Sequence, residues 1–389
     1  MSVLITDAGA KHSLAAIRSI GSRNIDVGAI ETTRLNMGFL SRYVKKRFLC
    51  PHSKGELFVN HIIKILEKHK YDVFLPVIDT SYEAASKYKA RLEKYVRMPV
   101  ANYDSMSIAL NKRRTMMLAE KKGVPVPATV YPIRLSDIRD NAKKITYPAV
   151  IKTADGAGSG GIAFVNSEAE LLLKYPKMVT DKSNLPMIQE YIPGKGQGFF
   201  ALYNNGKPRA IFMHERIREY PVTGGPSTMA KSIYSDSLKK EGLKMLNALD
   251  WHGVAMVEFK LDSRDNTLKL MEVNPKFWGS LDLAISSGVD FPYLAYKMAL
   301  DGDVKPVMKY NESMKFRWIF PGEILHFLSS EDKIKALKDF MEFDKNIKSD
   351  IRLKDPLPNI FQIMLTARMA VSLSLKGKLR HPCGVAKVN

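Results

Sequence analysis

Cysteine is the scarcest chemistry in this chain. Among 389 residues only Cys50 and Cys383 occur, far apart and outside any CxxC pair. That excludes a disulfide framework and a thiolate zinc centre, and it fits a reducing compartment. The eight histidines show no HxxxH or HExxH spacing, which removes a zinc-hydrolytic site. Clean hydrophobic runs are missing too. Leu357 to Leu375 is apolar but interrupted by Asn359, Gln362, Arg368 and two serines, short of the roughly 20 apolar residues a spanning helix needs. Met1 to Gly9 lead straight into an apolar segment without the basic start and cleavage site of a secretory leader. The expectation is a cytoplasmic protein. Acid is in deficit: 60 Lys and Arg stand against 40 Asp and Glu, a net +20.

That excess is spread evenly, +8, +5 and +2 over the three successive hundreds and +5 over the last 89 residues. Basic runs such as Arg42 to Arg47 alternate with apolar residues, and no zinc-finger, RNP or homeodomain pattern accompanies them. Diffuse charge steers any polyanion without specifying one, so a specific nucleic-acid partner is not expected. With 45% apolar residues the chain is long enough for two or three cored units.

In the first hundred residues strands alternate with helices. Val3 to Thr6, Val27 to Ile30 and Asp72 to Val77 read as strands; the stretches ending at Gly21, over Phe58 to Glu67 and over Tyr82 to Tyr95 read as helices. This predicts a parallel sheet covered on both faces. GxGxxG is absent from the Ala8-Gly9-Ala10 turn, so no dinucleotide is expected there. A basic helix over Ala109 to Lys122 ends at Gly123, and ValProValProAla then marks a boundary. Strands at Ala149 to Thr153, Ile162 to Val165 and Met187 to Tyr191, with a helix from Glu168, form a small α+β unit. Strands at Phe199 to Tyr203, Arg209 to Glu215, Val254 to Leu261 and Leu268 to Val273 form another.

Three constellations carry chemistry. Lys152 precedes the loop Asp155-Gly156-Ala157-Gly158-Ser159-Gly160-Gly161, whose glycines allow backbone N–H groups close to phosphate oxygens, although no GKS or GKT closes a Walker loop. Glu258 and then Glu272 with Asn274 lie on successive strands. The period of two puts Glu272 and Asn274 on one face with Glu258 across from them, a donor set for a hard cation such as Mg²⁺. Arg216 and Arg218, at i and i+2, share a strand face ahead of the loop Gly224-Gly225-Pro226-Ser227-Thr228, a combination suited to a carboxylate or phosphate anion. The plain alternatives are a hairpin turn, two solvated glutamates and a solvated basic strand.

Taken in order, LeuAsnLysArg (110 to 113), the Lys152 strand with its Gly loop, GlnGluTyrIleProGly (189 to 194), Arg216 with GlyGlyProSerThr, Glu258 and GluValAsnPro (272 to 275) resemble the ATP-grasp superfamily, in its carbamoyl-phosphate-synthase-like and carboxylate–amine ligase subgroup. The resemblance covers roughly residues 1 to 305. It implies a Rossmann-like parallel α/β unit over 1–108, an α+β subdomain with a Gly-rich lid over 109–193, and an α+β subdomain with a metal site over 194–305, the latter two enclosing ATP. Residues 306–389 are then a helical, basic extension. It implies that Lys112 and Lys152 hold the α- and β-phosphates, and that Gly156, Gly158, Ser159, Gly160 and Gly161 form the lid. The hinge is Gln189, Glu190, Tyr191 and Ile192, with backbone groups of Glu190 and Ile192 reading adenine. Gln197 stands near the ribose, where relatives place an acid. Glu258, Glu272 and Asn274 bind Mg²⁺, or Mn²⁺ in its place. Arg216 and Lys276 hold the acyl-phosphate oxyanion, Lys276 where relatives commonly carry arginine. Arg218, Gly224, Gly225 and Ser227 face the substrate.

The implied reaction is ATP-dependent activation of a carboxylate to an acyl phosphate and attack by an amine, releasing ADP and phosphate. The rivals are a bicarbonate-activating carboxylase or carbamoyl-phosphate type of enzyme, and a silent ATP-binding module. No biotin-acceptor MetLysMet, amidotransferase domain or second copy of the motifs occurs. The implied partners are a small carboxylate and a small amine, with a homodimer left open. Beyond Asp355 the chain holds five Lys or Arg and no acid. It reads either as a helix packed on the body with a basic end, or as an amphipathic segment resting on the inner face of an anionic membrane.

Overall fold

The structure is a computed structural model and describes residues 1–154, 161–181, 183–221, 225–342 and 344–379. The N-terminal part is a four-stranded, wholly parallel sheet of β1 (Ser2–Ile5), β2 (Asp26–Glu31), β3 (Val44–Leu49) and β4 (Val73–Leu75) in the order β3-β2-β1-β4. Helices Lys11–Gly21 and Gly55–Lys68 connect β1 to β2 and β3 to β4, and Asp79–Lys87 follows β4. The edge strand β3 is one the sequence did not announce. Its ValLysLysArgPheLeu reads as a basic run because an edge strand turns lysines and arginines to solvent, which also blocks further pairing.

A small antiparallel sheet follows, β5 (Thr129–Val130), β6 (Ala149–Lys152), β7 (Ile162–Val165) and β8 (Met187–Glu190), ordered β5-β8-β6-β7. Helix Glu168–Met178, capped by Ser167 accepting from the Glu170 N–H at 3.2 Å, packs on it. Its core of Ile138, Ile151, Val165, Leu171, Tyr175 and neighbours is separate from the main one.

The large sheet contains β9 (Gly194–Asn204), β10 (Lys207–Glu219), β11 (Ser227–Ser232), β12 (Gly253–Asp262), β13 (Leu268–Asn274), β14 (Lys315–Arg317) and β15 (Ile347–Ser349), in the order β13-β12-β9-β10-β11-β14-β15. Asn205 and Gly206, both at positive φ, make the tight β9–β10 hairpin. This sheet shares one continuous hydrophobic core with the parallel sheet, running from Val3 to Trp318.

Two expectations need correction. The basic helix does not begin at Ala109: helix Tyr103–Leu110 ends there, and Asn111, accepting from the Arg114 N–H at 2.9 Å, caps a new helix, Lys112–Lys121. The stretch 306–389 is not purely helical, because β14 and β15 extend the large sheet. Three-residue strands carry too little alternation to be read in sequence.

Candidate active site

The site is built on the antiparallel pair β12 and β13. Glu258 stands directly opposite Glu272, and Asn274 lies two residues further on the same face. Two facing carboxylates repel, and the surroundings answer that repulsion. Arg216 Nη2 lies 2.7 Å from Glu258 Oε1, Lys112 Nζ 3.8 Å from Glu272 Oε2, and Asn274 Nδ2 donates to Glu272 Oε1 at 2.9 Å. Burial pushes the Glu258 carboxyl above its ordinary range, with Glu272 adding to the rise and Arg216 opposing it. Burial would raise Glu272 as well, but Lys112, the Asn274 amide and Lys152 outweigh it and hold this carboxyl low.

Arg216 reaches Glu258 across β9, and two glycines clear the way. A Cβ on Gly196 would stand 3.0 Å from Arg216 Cδ, and one on Gly198 would strike the Phe200 ring at 2.5 Å and approach His214 Nε2 to 3.2 Å. Glycine at both positions lets the Arg216 side chain and the Phe200 ring lie directly on the β9 backbone, and this is what allows Arg216 to reach Glu258.

The two lysines come from different elements, a helix start and a strand end. Lys152 ends β6, and the Lys112 N–H donates to the Ala154 carbonyl at 2.9 Å, which joins the start of one helix to the end of that strand. Burial lowers the Lys152 ammonium to about 8, with Lys112 pushing the same way and Glu272 resisting. Two ammonium groups held against buried carboxylates form a cradle for polyphosphate.

At the junction of the two sheets, the Tyr191 N–H donates to Pro148 O at 2.9 Å and the Glu190 N–H to Ala128 O at 2.9 Å. The Glu190 carboxylate accepts from the Ala128 N–H at 2.9 Å and meets Arg264 Nη2 at 3.1 Å, and Gln189 Nε2 donates to Thr129 Oγ1 at 2.9 Å. These side chains brace the crossover. Lys260, not singled out from sequence, donates to Ile192 O at 2.9 Å while lying 5.0 Å above the Tyr191 ring.

Not every expected residue joins this cluster. Gly156, Gly158, Ser159, Gly160 and Gly224 lie outside the described residues. Gly161 is described, and its carbonyl accepts from the Thr153 N–H at 2.9 Å. Gln197 is turned away: paired with Phe259 and Glu215, it is buried on the opposite face of β9 with Nε2 donating to Glu215 Oε2 at 3.1 Å. Strand alternation beside Gly196 and Gly198 dictates that side. Arg216 and Arg218 do not act together either. A register shift between them against β11 breaks the i, i+2 rule, and Arg218 instead meets Glu323 at 2.6 Å. Gly225 stays near Arg216, its carbonyl accepting from Nη1 at 3.3 Å, and Ser227 is buried opposite Glu219 at the start of β11. Lys276 pairs with Asp79 of the N-terminal part.

Sequence reasoning also passed over Lys11, His214 and Asp79. The Lys11 ammonium lies 4.9 Å above the Trp318 ring, and burial lowers it to about 8, against the pull of Asp350 and Asp282. His214 is buried beside Phe200 and held neutral, lowered to about 3 by burial and by Arg216. The signal that could have found Lys11 was its place directly after the β1 turn, at the carboxyl edge of a parallel sheet. Among the described residues no three His, Cys, Asp or Glu side chains could hold a metal by themselves. Glu258, Glu272 and Asn274 fit a hard cation whose shell is completed by phosphate or water oxygens, an all-oxygen environment suited to Mg²⁺.

Residues 187–320 match the family model described as ATP-grasp in the biosynthetic pathway with Ter operon. The N-terminal section of the carbamoyl phosphate synthase large chain of Methanopyrus kandleri is 23% identical over 254 residues, covering 61% of this chain and 45% of that protein. A D-alanine–D-alanine ligase of a Thermoanaerobacter species is 26% identical over 250 residues, covering 56% of this chain and 69% of the ligase. The chain thus spans under half of the carbamoyl phosphate synthase section. Among solved structures, biotin carboxylase of Campylobacter jejuni superposes with a TM-score of 0.67 at 16% identity, covering 81% of this chain and 74% of that one. L-amino acid ligase from Bacillus licheniformis gives 0.62 at 17%, covering 78% and 77%. The fold and the matched segment lead to one conclusion: the chain carries an ATP-grasp domain with carbamoyl phosphate synthase and D-alanine–D-alanine ligase relatives.

Proposed function

We propose that the protein is an ATP-dependent ligase that activates a carboxylate as an acyl phosphate and joins it to an amine. The observation that carries this reading is the facing pair Glu258 and Glu272 with Asn274, set against Lys112 at the start of its helix and Lys152 at the end of β6. In this reading Glu258, Glu272 and Asn274 hold Mg²⁺, which when bound supplies positive charge to the transferred phosphoryl group. Lys112 and Lys152 hold the α- and β-phosphates, and the adenine lies at the Gln189-to-Ile192 crossover, stiffened by Lys260 and Arg264.

Arg216 gives up part of its bond with Glu258 to face the acyl-phosphate oxyanion. Lys276, anchored by Asp79, adds a second positive charge. In this reading Gly225, whose carbonyl accepts from Arg216, and Ser227 stand on the side of the carboxylate substrate.

The test is a screen of carboxylates paired with amines for ADP release. The expected result is turnover that needs both partners. Turnover with bicarbonate alone would favour a carboxylase-type activity and overturn the ligase reading.

Lys152 supplies a pH signature. A lysine lowered to about 8 is charged below that pH and loses its proton above it. Affinity for ADP, measured by titration calorimetry, should hold from pH 6.5 to 7.5. It should then weaken by up to about tenfold per unit above 8. In Lys152→Met the affinity should be lower and this slope should disappear.

A further inference from the structure

The helix Pro356–Leu375 is amphipathic in the inverted sense. Its buried side chains are Pro358, Asn359, Gln362 and Thr366, whereas Leu357, Ile360, Met364, Val371 and Leu375 face outward. These five recur at the three- and four-residue steps of a single helical stripe. Polar contacts hold the inner side. Asn359 Oδ1 accepts from Arg18 Nη2 at 3.2 Å, Asn359 Nδ2 donates to Asp350 O at 3.0 Å, and Gln362 Nε2 reaches Met37 Sδ at 3.8 Å. At the start of the helix Asp355 accepts from Arg18 Nε at 2.8 Å, Ser41 Oγ at 2.9 Å and the Arg42 N–H at 2.9 Å. A folded chain that spends hydrogen bonds on keeping apolar residues outside exposes a surface made for an apolar partner.

Charge identifies that partner. Arg352 and Lys354 precede the helix, Lys376 and Lys378 follow it, and exposed Arg368 falls within the apolar stripe itself. Asp350 and Asp355, the acids beside the start of the helix, are both buried. Beyond Leu379 the sequence adds Arg380 and Lys387 and no acid. Two copies of so basic a face repel, and a cation inside the stripe is costly in a dry protein interface. At the boundary of acyl chains and anionic headgroups the same arginine extends to the phosphates while its stem stays among apolar neighbours. Leu353, 90% exposed, adds a further apolar anchor just before the helix. No described helix is long and apolar enough to cross a membrane, so the geometry is that of a segment lying along the surface.

We infer that the helix Pro356–Leu375 docks the protein on an anionic lipid bilayer through its outward apolar stripe and flanking basic residues. The test is flotation of the full-length protein with vesicles of phosphatidylcholine alone and of phosphatidylcholine mixed with phosphatidylglycerol. Flotation with the anionic vesicles only, weakened by salt, is expected. Lys376→Gln with Lys378→Gln should lower vesicle affinity about fivefold for each lysine removed. Ile360→Glu with Val371→Glu should abolish flotation while leaving the circular dichroism spectrum unchanged, because both side chains are exposed. A full-length protein that stays unbound with both vesicles would overturn the inference. So would one that sediments as a dimer, without binding vesicles, and becomes monomeric in Ile360→Glu/Val371→Glu.

Discussion

Replacing Glu272 and Asn274 together by alanine is expected to lower substrate-dependent ADP release by about a thousandfold or more. The two side chains are bonded to each other at 2.9 Å, and Glu272 faces both Glu258 and Lys112. Their loss removes two of the three oxygen donors proposed for the cation. Nucleotide binding should survive in part, since Lys112 and Lys152 remain, but it should lose its dependence on Mg²⁺. Titrating ADP with and without Mg²⁺ separates this outcome from misfolding, because a misfolded variant binds in neither condition. Unchanged activity in the double variant would end the proposed assignment of the site. Glu258 is the poorer first target: its removal strands the Arg216 guanidinium 2.7 Å away in a buried place, confounding catalysis with stability.

Glu323→Ala should destabilise the fold by about 3–5 kcal/mol, the range for breaking a buried ion pair from one side. Glu323 is 2% exposed. Its carboxylate meets Arg218 Nη2 at 2.6 Å, accepts from Thr228 Oγ1 at 2.6 Å and lies 3.9 Å from Arg317 Nε. Alanine leaves buried guanidinium charge without its counter-ion and detaches the segment after β14 from β10 and β11. Urea denaturation measures the loss. Glu323→Leu combined with Arg218→Met should recover most of it, because the charge and its partner then leave together. If Glu323→Ala shifts stability by less than about 1 kcal/mol, the pair behaves as a solvated one.

The metal-binding candidates were legible in sequence because they obey a short-range rule. GluPheLys on one strand and GluValAsn on the next place their polar atoms by the period of two, and the hairpin between them is local. The same rule, applied to Arg216 and Arg218, misled. A register shift in the β10–β11 pairing reversed the expected side of Arg218, and a shift in pairing leaves no trace in residue types. Gln197 was assigned by its distance along the chain from the hinge, whereas its face is fixed by its position next to Gly196 and Gly198. The edge strand β3 was hidden by its lysines, and β14 and β15 by their brevity.

Taken alone, the sequence determined the scarcity of thiols, the alternation of a parallel unit with two antiparallel ones, and the residue types of the proposed phosphate and hard-cation site. Each depends on composition or on neighbours a few positions apart. Tertiary structure decided which charges meet: Lys112 with Glu272, Lys276 with Asp79, Arg218 with Glu323, and Asp355 with Arg18. Those pairs are separated by about a hundred residues or more, and a charge chooses its partner by proximity in the folded state, where burial strengthens the attraction. The outward apolar stripe of the last helix belongs to the same class. Its composition was visible from the start, but only packing shows that the polar side faces the protein.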